Sequence, residues 1–304
     1  TDSGLSITKW ELFKGILPPL NNQDWESYFL LYKEIPQYLL LNSKMTMDEF
    51  KYIFLWEYFH RLLARFIGLF FLIPFFFFVI THSLQRDLQI KLTNIFILIL
   101  LQGAVGWFMV KSGLVDNVTV SHFRLSFHLS LAFIILSLLF WQLMNLQHSV
   151  NIRIFHDKSD YKILKILLVL IFFQIIFGAF VSGLDAGKIY QTWPLMNDNY
   201  FPNDIDLNNI LNLNNPSAVQ FIHRNIAYVI FFITIYSGYN ILKNKLAKLY
   251  IPYLIFFSFI ILQIVLGIFV LYSGVSIYLA SMHQISSIFL VISCLNLCHR
   301  SIRS

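Results

Sequence analysis

The sequence predicts an all-α polytopic membrane protein organised as two pseudosymmetric four-helix bundles in tandem, and three observations carry that prediction. Hydrophobic residues make up 57% of the chain and charged residues only 12%, more apolar surface than a soluble domain can bury. Seven windows of about 20 apolar residues, the length that crosses hydrocarbon, are bounded by charges or turn residues. A pattern of Gln, Gly and His also recurs along the chain at fixed spacing.

The windows run from Leu62 to Ile80, Leu92 to Val110, Leu125 to Leu146, Ile163 to Val181, Val219 to Leu242, Leu249 to Tyr272 and Ile277 to Cys298. Backbone groups in lipid must be satisfied within the segment, so long apolar runs without period-two alternation read as helices. Ahead of them, residues 1–56 form a polar and aromatic segment with Pro18-Pro19 and Asn21-Asn22. Its Thr46-Met47-Asp48-Glu49 has the Thr-to-Glu spacing of a capping box and predicts a helix start. A second polar connection, Gly183 to Ala218, is rich in Asn, Asp and Pro, and the others are short. Cys294 and Cys298 lie one helical turn apart and read as packing residues, because such neighbours do not make a good disulfide. The chain opens on Thr1-Asp2-Ser3-Gly4 without Met or a cleavable signal, and a further helix is expected upstream.

Charge orients the spans. The connections after the first, third, fifth and seventh windows carry Arg86, Lys91, Arg153, Lys158, Lys162, Lys165, Lys243, Lys245, Lys248, Arg300 and Arg303, opposed only by Asp87, Asp157 and Asp160. The positive-inside rule makes that side cytoplasmic, or matrix-facing in a mitochondrion, and puts residues 1–56 outside. The net charge of +6 is too dispersed to suggest nucleic acid.

The repeat defines the halves. Gln102, Gly106, Ser112 and Gly113 have the same offsets as Gln263, Gly267, Ser273 and Gly274, and each set precedes a helix with a histidine near its start, His128 or His283. Tyr58-Phe59-His60-Arg61 and Phe221-Ile222-His223-Arg224 lead into the preceding helices, and Gln174, Gly178, Ser182 and Gly183 form a third Gln/Gly element. The expected domains are therefore an outer segment, 1–56, an N-terminal half-bundle, 57–150, and a C-terminal half-bundle, 160–300. The counterpart of the third element would precede Thr1, leaving seven of eight helices here.

Four histidines, His60, His128, His223 and His283, occupy corresponding places in the repeat, near the outer ends of their spans. A lone histidine at that depth reads as a hydrogen bond to a neighbouring helix. Four at repeat-related positions read instead as ligands, because ionisable groups in the membrane are costly and usually functional. Neutral imidazole suits haem iron, and two helices can each present one across a bundle. Each half lacks the further Cys, Asp or His that a four-ligand zinc or copper site needs, so one haem per half is the expected stoichiometry. Arg61 and Arg224, each beside a proposed ligand, can meet haem propionates, or can snorkel to headgroups as interfacial arginines do. Arg65, Lys111 and Arg124 are weaker candidates. Glu57, three residues before His60, shares its helical face and can relay protons; Gln220 takes the matching place before His223. That difference assigns chemistry to the first half and a cofactor to the second. His82, His148, His156 and His299 fall at inner ends or loops and read as solvated, and His122 is rotated away from His128.

These residues resemble the haem A synthase family in its proteobacterial and mitochondrial branch. The resemblance runs through Asp2-Ser3-Gly4-Leu5-Ser6-Ile7, Pro18-Pro19-Leu20-Asn21, Glu57-Tyr58-Phe59-His60-Arg61, Ser121-His122-Phe123-Arg124-Leu125 with His128, Gly183-Leu184-Asp185-Ala186-Gly187-Lys188, Trp193-Pro194-Leu195-Met196, Gln220-Phe221-Ile222-His223-Arg224 and His283-Gln284. It implies eight helices in two bundles and an oxidoreductase that converts haem O to haem A for cytochrome c oxidase by oxidising the C8 methyl group to a formyl group. It further implies that His223 and His283 hold a haem b cofactor, with Arg224 beside it. His60, His128 and Arg61 then belong to the substrate haem, and Glu57 is important for activity. The chain departs from the family's eight helices by the absent first one, and it lacks the outer-loop cysteine pair of another branch.

The alternative function is a dihaem b-type membrane cytochrome acting in electron transfer. Against it, no span carries two histidines about four turns apart, and all four candidates share one side of the membrane. A transporter, the third reading, is disfavoured because the two halves keep the same orientation and neither shows a broken helix. The expected partners are haem O and its synthase, membrane lipid, an electron-transfer partner of unspecified kind and a second copy of the chain. The expected location is the bacterial inner membrane, with the mitochondrial inner membrane as alternative.

Overall fold

A computed structural model describes residues 17–116, 120–154 and 162–303. The motif Asp2-Ser3-Gly4-Leu5-Ser6-Ile7 and the residues His156, Asp157, Lys158 and Asp160 lie outside these, as do the side chains of residues 111–116, Leu207 and Arg303. The described residues form helices α1 (Asn22–Lys33), α2 (Pro36–Leu40), α3 (Met47–Ile80), α4 (Arg86–Asp116), α5 (His122–Gln147), α6 (Lys162–Gly183), α7 (Pro216–Lys243), α8 (Ala247–Tyr272) and α9 (Ile277–Arg303). The 7 helices from α3 to α9 are long and apolar enough to cross a membrane, and they coincide with the seven apolar windows. The chain divides into two compact units, Thr1–Arg124 and Leu125–Ser304.

In the first unit, α3 begins at Met47, well before the apolar window at Leu62. Its 34 residues make a rod of about 51 Å, longer than the hydrocarbon of about 30 Å. The capping box stops the helix where the sequence placed its start: Thr46 N–H donates to Glu49 Oε2 at 2.7 Å, and Glu49 N–H donates to Thr46 Oγ1 at 3.4 Å. The polar extension escapes a hydropathy window but buries an aromatic face against α1. There Phe29, Tyr32, Phe50, Phe54 and Tyr58 form a cluster, and Trp25 meets Phe54 edge-on at 5.1 Å, a contact worth about 0.5–1.5 kcal/mol beyond its area. Farther along, α4 packs on α3 through parallel rings of Phe71 and Phe96.

In the second unit, α6, α7, α8 and α9 pack as a closed ring, each on the next and α9 back on α6. Ala179, Phe180, Ala218, Val219 and Leu266 are buried toward one end, but the main apolar cluster lies at the other, in 164–175, 230–241, 249–260 and 290–302, joined by Phe133 and Trp141 of α5. This is the basic end, near Lys162, Lys243 and Lys248; the histidines and the long connection lie at the other, loop end. Cys294 and Cys298 are buried in the core, as packing residues should be.

His299 corrects the reading of a solvated residue. It is fully buried, with Nε2 3.0 Å from Asn145 Oδ1 and its ring edge-on to Trp141. Trp141 Nε1 and Asn145 Nδ2 both donate to the Ile152 carbonyl, at 2.7 and 3.0 Å. The helix position near the end suggested solvent, but the turn after α5 folds back and covers it.

Gly238 is required for the α7–α8 contact. A methyl group there would overlap the ring and hydroxyl of Tyr253, whose hydroxyl donates to the Thr234 carbonyl at 3.1 Å. Gly238→Ala is expected to cost about 1–3 kcal/mol through this overpacking, measured as earlier thermal unfolding in detergent.

Candidate functional site

Within the second unit the repeat has a direct structural counterpart. His223 on α7 faces α6, and His283 on α9 faces α8. A Cβ built on Gly178 of α6 would stand 3.2 Å from His223 Cε1, and one built on Gly267 of α8 would stand 3.4 Å from His283 Cε1. In both cases Nδ1 is the next nearest ring atom, at 3.9 and 3.8 Å. Glycine at these positions admits the ring edge.

Each glycine follows a glutamine by one helical turn, Gln174 before Gly178 and Gln263 before Gly267. Both Nδ1 atoms are buried and neither reaches hydrogen-bond geometry with a protein partner. The glutamine side chains differ. The Gln174 amide nitrogen sits 3.2 Å from His223 Nε2, whereas Gln263 Nε2 donates to the His283 carbonyl at 3.1 Å and to Ser286 Oγ at 2.6 Å.

The long connection lies over the loop end of this bundle and is fastened by α7 and α8. Gln220 Nε2 donates to the Tyr190 carbonyl at 2.8 Å. Buried Arg224 donates through Nη2 to the same carbonyl at 2.9 Å, and through Nη1 to those of Thr192 and Leu195 at 2.9 and 3.3 Å. Tyr272 of α8 donates to the Trp193 carbonyl at 2.9 Å. Arg224 therefore anchors a loop, a role that adjacency to His223 did not suggest, and only its Nε has no partner. Arg224→Ala is expected to cost about 1–3 kcal/mol by stranding buried carbonyls, and limited proteolysis should show faster cleavage within 190–200. Arg224→Lys should behave similarly, because a point ammonium cannot reproduce the guanidinium fork.

A second fastening joins Asp204 to the same loop. Tyr190 donates to Oδ1 at 2.7 Å, and Ser217 at the start of α7 donates to Oδ2 at 2.6 Å. Burial works to raise the Asp204 carboxyl, but the hydrogen bonds from Ser217 and Tyr190 outweigh it and hold the group below its usual 3.8. Burial first, then Asp204, pushes the Tyr190 phenol above its usual 10.0. A depressed acid stabilises above its unfolded value and loses that contribution as pH falls through the lower, folded one; a raised phenol stabilises below its unfolded value and loses it as pH rises. The loop should thus be held between about pH 4 and 10. Asp204→Asn should accelerate proteolysis of the loop at pH 7, and the difference from wild type should vanish below the carboxylate range.

In the first unit, Glu57 and Arg61, assigned to separate roles from sequence, form a buried ion pair one turn apart on α3. The spacing of three that set Glu57 on the face of His60 also sets it one residue short of Arg61, and charge decides the partner. His60 itself is exposed. His128, half-buried on α5, belongs to the second unit. His122 is buried at the start of α5, and Arg124 lies over the Phe108 ring at 5.0 Å. His82 is exposed in the turn after α3, as expected. Among the described residues no three of His, Cys, Asp and Glu come together. Sequence reasoning passed over the contacts of Gln174, Gly178, Gly267 and Tyr272, although the Gln/Gly repeat was a usable signal for the first three.

The fold and this arrangement define a polytopic all-helical membrane protein with intramembrane histidines seated on glycines of neighbouring helices. The chain belongs to the cytochrome oxidase assembly protein family, which it matches over residues 1–295. It is 49% identical over 297 residues to a protein of Pelagibacter ubique named heme A synthase, covering 96% of this chain and 87% of that one. Proteins of the same name from Rickettsia felis and Agrobacterium fabrum are 39% and 41% identical, over 96% and 93% of this chain and 88% and 79% of theirs. No solved structure matches the chain.

Proposed function

We propose that this chain is a haem A synthase, an oxidoreductase that converts the C8 methyl group of haem O to the formyl group of haem A for cytochrome c oxidase. The observation that carries the reading is the pair His223 and His283, seated alike on Gly178 and Gly267. Relatives named heme A synthase support this reading of the reaction.

The donor set fits a haem b cofactor. An imidazole from α7 and another from α9 would hold a haem iron, each keeps a buried Nδ1 outside protein hydrogen bonds, and the main apolar cluster lies toward the opposite end of the bundle. A haem bound there would supply one-electron redox chemistry. His223 and His283 would hold it, with Arg224 Nε as the donor left for a carboxylate. The fastened connection limits access of water to that end.

His60 and His128 are assigned to the substrate haem by the sequence repeat and the family resemblance, with Arg61 beside it. Turning a methyl into a formyl group removes hydrogens and electrons and adds one oxygen. Glu57 accepts protons released from the substrate, and Arg61, its ion-pair partner, orients the carboxylate. The protein is integral to the bacterial inner membrane, its histidines toward the outer face, and receives haem O from the synthase that makes it.

Haem extraction and chromatography after coexpression of the full-length protein with a haem O synthase tests this. Haem A, or its hydroxylated precursor, is expected. Haem O left intact beside bound haem b would favour the electron-transfer cytochrome.

A further inference from the structure

The repeated glutamine and glycine do more than mark a duplication. On α6 and on α8 a glutamine is followed, one helical turn later, by a glycine, and the next helix in sequence for α6 and for α8 sets a histidine ring edge against that glycine. The distances agree to within a few tenths of an ångström, 3.2 Å from Gly178 to His223 Cε1 and 3.4 Å from Gly267 to His283 Cε1. Other helical glycines do not share this: a Cβ on Gly68 or Gly103 would meet nothing within 4 Å.

We propose that these elements are histidine cradles, in which Gly178 and Gly267 fix the plane of each imidazole and Gln174 is a positioning residue for His223. With the Nδ1–Cε1 edge turned to the glycine in each copy, Nε2 is the nitrogen left for a ligand, and in His223 it meets the Gln174 amide. The copies are not equivalent. Gln263 is committed to the His283 carbonyl and Ser286, so it braces the backbone of α9. Gln174 reaches the His223 ring itself through its amide nitrogen, and its Oε1 is buried without a partner. The side chain of Gln174 thus holds His223 in place until a ligand takes Nε2.

The proposal rests on the haem reading of His223 and His283. Its test uses the full-length protein purified with its haem, with Gly178→Ala, Gly267→Ala, Gln174→Leu and, as steric control, Gly103→Ala. Haem per chain and haem retention on dilution are read beside the low-temperature paramagnetic resonance of the ferric protein, which reports imidazole orientation. The cradle variants should hold haem on the order of 10–100-fold more weakly, the cost typical of groups that orient a metal ligand. They should also shift the low-spin ferric signal, more at Gly178 than at Gly267, while Gly103→Ala matches wild type. Gln174→Leu adds no bulk against the ring and carries the test if the alanine variants fail to fold. Wild type with haem and variants with unchanged retention and signal would overturn the cradle alone; wild type that binds no haem would overturn the haem reading and the cradle with it.

Discussion

Glu57→Ala should lower haem A formation on the order of 10²–10⁴-fold, the usual worth of a positioned acid or base, in a chain that still inserts and still retains haem in its second half. The difficulty in reading such a result is that Glu57 is also half of a buried ion pair with Arg61. Removing one partner of such a pair leaves an uncompensated charge and costs about 3–5 kcal/mol, whereas removing both is often close to neutral. The double variant Glu57→Ala with Arg61→Ala therefore separates the roles. If the carboxylate acts on protons, thermal stability returns toward wild type in the double variant and haem A formation does not. Recovery of both together would reduce Glu57 to a structural residue and move the proton-accepting role elsewhere.

His283→Ala should abolish the low-spin haem spectrum of the purified protein, and His223→Ala should do the same. His60→Ala should leave that spectrum in place while haem O accumulates. The contrast follows from the assignment of cofactor to the second half and substrate to the first. Loss of a ligand removes one of the two imidazoles that would hold the haem. Equal loss of bound haem in His60→Ala and His283→Ala would contradict the division of labour, and an intact low-spin spectrum in His283→Ala would remove that residue from the ligand set.

Sequence alone determined the helices that span, because hydrocarbon demands about 20 apolar residues whose backbone bonds close locally. The windows from Leu62 to Cys298 lie within the helices observed. It determined the capping box at Thr46 and Glu49, a local signal four residues long, and the repeated places of His60, His128, His223 and His283. Tertiary structure decided what those features touch. The outward extension of α3 was invisible to a hydropathy window because its stability comes from aromatic contacts with α1, a partner distant in sequence. His299 looked solvated by its place near a helix end, and burial came from a turn and from Asn145, 154 residues away. Arg224 looked like a ligand's counter-charge beside His223, yet Nη1 and Nη2 go to carbonyls of a connection about 30 residues earlier and only Nε is left for such a role. Spacing along a helix can show which residues share a face, but it cannot show which distant group will satisfy a buried donor or admit a ring. That choice was made by Gly178, Gly267 and the folded loop, where space and hydrogen-bonding capacity are set by packing.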